Sequence, residues 1–109
     1  VTPEKRLAAF QKMVEQKPDE PFVRYSLAMA YRSAGREADA AREFEELSRR
    51  APDYVPTYLM LGQVLEAIGR HDEAADAYER GIAAATRMGE AHARNELAQS
   101  LEILRSEGS

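Results

Sequence analysis

The sequence predicts an all-α fold of stacked antiparallel helix pairs, about six helices in all, and three observations lead there. Alanine fills 19 of 109 positions, against six glycines and five prolines; that composition favours helices and lets them approach closely. Apolar residues recur three and four apart along much of the chain, as they do on one face of a helix. Finally, an offset of 34 residues superposes the chain on itself. Pro18-Asp19 falls on Pro52-Asp53, Leu27 on Leu61, Gly35-Arg36 on Gly69-Arg70, Ala40-Ala41 on Ala74-Ala75, and Phe44 on Tyr78. Alanine matches alone would mean little in so alanine-rich a chain. Coincidence of both proline–aspartate pairs with both glycine–arginine pairs marks a true repeat.

The elements follow in order. Thr2 is an expected N-cap with Pro3 at the first helical position. It opens a segment, 1–17, whose Leu7, Phe10, Met13 and Val14 form an apolar stripe. Phe10 and Met13 match Phe44 and Leu47, so this segment reads as the second helix of a pair whose first helix is missing. The first full unit, 18–51, has helix A near 20–33, with Val23, Leu27, Ala30, Tyr31 and Ala34 on one side, and a turn at Gly35. Its helix B, near 37–50, carries Ala40, Ala41, Phe44, Leu47 and Ala51. The second unit and its connection, 52–88, repeat the scheme with helices near 54–67 and 71–85 around Gly69. Asp19 and Asp53 are expected N-caps, and Pro21 suits an early helical position. A last segment, 89–109, fits an offset of 36 rather than 34, which places Leu97, Ala98, Leu101 and Leu104 on Leu61, Gly62, Leu65 and Ile68. That register predicts a break near Gly89, a connection lengthened by about two residues, and a closing helix A near 90–105.

Composition excludes several functions. No cysteine is present, which removes disulfides, cysteine-ligated metals and thiol chemistry. A net charge of −4 gives no basic footprint for nucleic acid or anionic lipid. The longest uncharged run, Tyr54–Leu65, contains Pro56 and is too short to span a membrane. No secretory signal is evident, so a cytoplasmic setting is expected.

Tyr58-x2-Leu61-Gly62-x2-Leu65 followed by Ala74-x3-Tyr78 resembles the tetratricopeptide repeat (TPR) pattern. Leu27-Ala28-x2-Tyr31, Ala40-x3-Phe44 and Pro52 resemble it again. Arg24, Leu65, Gly81 and Thr86 depart from it, Gly81 standing where Leu47 stands and Thr86 where Pro52 stands. The resemblance implies a short right-handed solenoid whose A helices line a concave face, and a protein- or peptide-binding role.

Positions beside the core stripe of each A helix are the candidate binding residues. They are Phe22, Tyr25, Met29 and Arg32 in the first unit, then Pro56, Leu59, Gln63 and Glu66 in the second. His92, Asn95, Gln99 and Glu102 complete them in the last helix. The face would grade from apolar to polar and suit a peptide with an apolar anchor near Tyr25 and Met29. Some members of the family hold a terminal carboxylate with Lys, Asn and Arg; here only Arg32, with Arg24 beside it, could supply charge, so that mode is not expected. His71 and His92 lack metal-binding spacing and are expected at helix starts in solvent. No activated serine context or phosphate loop occurs. Neither enzyme activity nor a cofactor is expected. The alternatives to a binding scaffold are a self-associating module whose end faces stack on another copy, or a fragment of a longer solenoid. The first 17 residues carry four basic and two acidic groups, whereas residues 70–109 carry five and eight; a head-to-tail contact between them would be steered only weakly at cellular salt.

Overall fold

Prolines and glycines punctuate the chain, and helices fill the intervals. The computed structural model describes residues 1–108, and among these all regular structure is helical. The helices are α1 (Pro3–Gln16), α2 (Pro21–Ser33), α3 (Glu37–Arg50), α4 (Pro56–Ala67), α5 (His71–Met88) and α6 (Ala91–Glu107). Thr2 caps α1, its hydroxyl accepting from the Lys5 amide at 3.2 Å. Pro21 and Pro56 open α2 and α4, where a missing N–H costs nothing. They also fix the helix starts, so the cap positions fall to Glu20 and Val55 rather than to Asp19 and Asp53. Those two aspartates instead face arginines, Asp19 lying 3.7 Å from Arg50 and Asp53 2.9 Å from Arg87. Helix α4 accordingly starts at residue 56, two residues later than the sequence suggests.

Gly35, Gly69 and Gly89 each adopt a left-handed φ of +70 to +80°. At all three the chain closes a Schellman turn: the amide after the glycine bonds back across the last helical turn, Arg36 to Tyr31, Arg70 to Leu65 and Glu90 to Ala85. The expected break at Gly89 is present, but the extra residues do not lengthen the connection. Thr86 replaces the proline that stops α3, so α5 runs 18 residues to Met88 where α3 runs 14. The connection to α6 is correspondingly short.

Each helix packs against the next along the chain, and α4 also touches α6. Ala28, Ala40, Phe44, Leu61, Ala74, Tyr78 and Leu97 belong to one buried cluster, while Leu7, Leu27 and Ala30 form a smaller one against α1. Glycine inside helices sets the closest crossings. The Tyr78 ring lies so near Gly62 that a β-carbon there would overlap it. A β-carbon on Gly81 would stand 2.5 Å from that of Tyr58 and 2.9 Å from Leu97. The departure from leucine at position 81 therefore has a steric cause: α4 and α6 both close on that point. The Tyr78 hydroxyl donates to Glu66, and Tyr58 donates to the Pro52 carbonyl at 2.6 Å.

Two expected core positions are open. Met13, matched to buried Leu47, is 41% exposed, and Ala98, matched to buried Ala28 and Gly62, faces solvent. Both lie on helix faces that no other described helix covers. Glu43, Glu45 and Glu46 do more than solvate α3. Glu46 pairs with Arg49 and Arg50, three and four residues along the same helix, but Glu43 reaches Arg24 at 2.8 Å and Glu45 reaches Arg80 at 2.9 Å.

Gly81→Ala separates local from tertiary effects. Helix propensity alone would favour alanine by about 1 kcal/mol, whereas overpacking against Tyr58 and Leu97 should cost about 1–3 kcal/mol. Denaturant unfolding should show a net loss; a gain would refute the close crossing. Tyr78 supplies a second check. Burial, then the Glu66 carboxylate, raises its pKa well above 10.0, and burial raises those of Tyr25, Tyr54 and Tyr58. Above that pH the unfolded chain releases protons that the native chain retains, so stability falls as pH rises. Thermal melts should decline above about pH 10, and Tyr78→Phe should make the decline shallower.

Candidate functional site

The second turn of α2 places Tyr25 between α3 and the central face of the stack. Its ring meets Phe44 edge-on at 5.7 Å and Tyr54 at 6.0 Å. The remaining edge opens on two shallow grooves. One, of ≈ 230 Å³, is lined by Tyr25 of α2, Pro56, Leu59 and Met60 of α4, and Ala93, Glu96 and Leu97 of α6, with Val55 and Glu90 at its margins. The other, of ≈ 450 Å³, lies between Arg6 and Phe10 of α1 and Phe22, Tyr25, Ser26, Met29, Ala30 and Ser33 of α2. Alternate helices α2, α4 and α6 thus share one face, and Tyr25 joins its two depressions into one apolar track.

The sequence-derived candidates divide on this geometry. Phe22, 65% exposed, lines the outer groove with half-buried Met29, and Pro56 and Leu59 line the central one. Arg32 and Gln63 lie beyond the grooves and hold each other. The Arg32 guanidinium donates to Gln63 Oε1 at 3.1 Å and to Met60 Sδ at 3.3 Å. Glu66 turns toward the Tyr78 hydroxyl and borders a separate cleft of ≈ 590 Å³ between the α4–α5 turn and the end of α6. His92, Asn95, Gln99 and Glu102 are exposed on α6 and line neither groove.

Of the residues that α6 does contribute, Leu97 is expected from sequence as a core position, and Ala93 and Glu96 are not among the sequence-derived candidates. Glu96 occupies the repeat position of Ser26 and Met60, both of which line a groove. The signal was present: a second line of inward positions, one residue after the first, recurs at the same offsets.

Electrostatics are asymmetric along the track. Arg6 sits at the α1 end, and Glu90 and Glu96 flank the α6 end. Arg24 does not contribute, because its side chain is 11% exposed and committed to Glu43. With Arg32 tied to Gln63 and Met60, no pair of inward cations is available to grip a carboxylate. Both histidines are exposed, His71 as the first residue of α5. Among the described residues no cluster of three His, Asp or Glu could hold a metal ion, and no helix is long and apolar enough to cross a membrane.

Comparison with known proteins agrees with this architecture. A family model described as tetratricopeptide repeat matches residues 25–87 and again 59–106. The small glutamine-rich tetratricopeptide repeat-containing protein 2 of Mycosarcoma maydis is 29% identical over 76 residues, covering 70% of this chain and 22% of its own length. The chain thus spans about a fifth of that relative. A tetratricopeptide repeat domain from Salinibacter ruber, solved by crystallography, is 36% identical with a TM-score of 0.75, over 79% of this chain and 97% of that one. PcrH, in complex with the chaperone binding region of PopD, superposes with a TM-score of 0.89 at 12% identity, over 98% of this chain and 81% of its own. At that identity the likeness concerns the fold. The matched family model and the observed helix pairs place the chain in the tetratricopeptide repeat family.

Proposed function

We propose that the chain is a binding scaffold that takes a segment of a partner protein along the face shared by α2, α4 and α6. The observation that carries this reading is the convergence of three alternate helices on one apolar groove around Tyr25, Leu59, Met60 and Leu97. Such a groove offers desolvation to an apolar anchor, and most of the energy in a contact of this kind resides in a few buried side chains. Glu90 and Glu96 at its margin favour a ligand that carries Lys or Arg close to that anchor. Because Arg24 and Arg32 are already engaged, the ligand's terminal carboxylate is not the recognised group. The fold likeness to PcrH, seen with a protein segment bound, supports the reading at the level of architecture.

A random peptide library displayed on phage provides a defined probe. Selected peptides should share an aromatic or branched apolar residue with a basic residue within a few positions. Tyr25 also packs on Phe44, so Leu59→Gln with Met60→Gln, both in the central groove, tests binding more cleanly. That pair should weaken selected peptides at least about tenfold while leaving helical content unchanged. Glu96→Lys should reverse the preference for basic peptides. Peptides that perturb the amides of α3 and α5 instead of those of α2, α4 and α6 would sink the assignment.

A further inference from the structure

Helices α1 and α6 correspond in the repeat to complementary halves, a B helix and an A helix. Inside the chain each repeat joins an A helix with a small residue to a B helix with an aromatic. Gly62 with Tyr78 shows that contact directly, and Ala28 and Phe44, both fully buried, hold the equivalent positions. The series is longer than the pairs. Phe10 extends the aromatic positions one unit backward, and Ala98 extends the small positions one unit forward. Phe10 borders the open groove between α1 and α2, and Ala98 faces solvent. Met13 lies exposed one turn from Phe10, at the position of buried Leu47.

We propose that a second copy of this chain fills the groove: α6 of one copy pairs with α1 of the next and completes a shared repeat. The register follows from contacts already inside each unit. Since Gly62 faces Tyr78, and Gly81 faces Tyr58, one helical turn nearer the connecting turn brings the position of Glu66 opposite that of Ala74. In the shared repeat those positions are Glu102 and Arg6. Arginine would be too large for the alanine site of an internal repeat, but here it meets an acid. At the other end of the pair, the cleft bounded by Glu20, Arg24, Leu47 and Ala51 maps onto Glu90 and Arg94 of one copy with Met13 and Lys17 of the next. Glu90 then faces Lys17, and the Arg94 stem covers Met13. A small residue opposite Phe10 and opposite charges at both ends of the pair coincide in a single register. The contact joins unlike surfaces, so each added copy presents the same free end again and growth is open rather than closed at a dimer.

Sedimentation velocity of the full chain tests this over a range of about 10 µM to 1 mM. The weight-average mass should rise from 12.2 kDa through two chains and beyond. Met13→Arg places like charge against Arg94, and Ala98→Glu blocks the seat of Phe10; each should weaken association at least about tenfold with helical content unchanged. Each variant retains one intact end, so an equimolar mixture should form a complex that stops at two chains. Glu102→Arg, on the exposed face of α6, is a second lesion of that end, and Arg6→Glu in the other copy should rescue it. A wild-type chain that remains monomeric throughout overturns the proposal. So does an association that stops at two copies, or one that mixing the end variants fails to restore.

Discussion

The structure depends on how closely an aromatic ring can approach a helix that carries no side chain in its way. Tyr78 lies against Gly62 where even a methyl group would overlap it, and Gly81 admits Tyr58 and Leu97 together. These contacts set the distance between helices within a pair and between successive pairs, because packed interiors tolerate neither voids nor overlaps. Once the spacing is fixed, α2, α4 and α6 must fall on one side of the stack. The groove beneath Tyr25 is a consequence of that spacing. Its walls belong to three helices that are far apart in sequence, and no single element could form it alone.

Arginine bridges then hold successive units in register. Arg80 donates to Glu45 at 2.9 Å and Ser48 at 3.2 Å on the preceding unit, to Asp76 on its own helix, and lies over the Tyr58 ring. Arg87 reaches Asp53 and Arg105 reaches Glu79. Each exposed pair contributes little by itself, about 0–1 kcal/mol, and the apolar crossings outweigh them. Arg24 differs because it is nearly buried. It occupies the repeat position of Tyr58, and its bond to Glu43 replaces the packing that an aromatic provides in the next unit.

Repeat length, helix order and the core positions could be read from the sequence because they depend on local periodicity and on the turn preferences of Gly and Pro. The ends of α5 and α6 were harder. Replacement of Pro52 by Thr86 announced a change, yet only packing decides that the extra residues extend a helix rather than a loop. The caps failed for a related reason: the prolines at 21 and 56 fix where α2 and α4 begin, which leaves both aspartates outside. On the candidate face, Tyr25, Met29 and Leu59 were legible as positions beside the core stripe. Glu96 is marked only by sharing the repeat position of Ser26 and Met60, and Leu97 reads as core; their place in the groove depends on how α6 packs across α4 and α5, where Leu97 approaches Gly81.

The basic residues carry the same logic to the ends of the molecule. Twelve of the 15 are arginine, and the three lysines, Lys5, Lys12 and Lys17, all lie in the first 17 residues. Arginine presents a rigid fork that can hold two acceptors at once, whereas lysine is a hydrated point charge on a flexible stem. The fork is used repeatedly to tie one helix to another, as at Arg24, Arg80 and Arg105. Segment 1–17 departs from that usage in every cation except Arg6, the one that borders the groove between α1 and α2. Alanine occupies the equivalent place at 40 and 74, where neighbouring helices bury it, whereas Arg6 is exposed. In the proposed shared repeat, Arg6 is the residue at which the internal pattern would give way to a charged contact with Glu102.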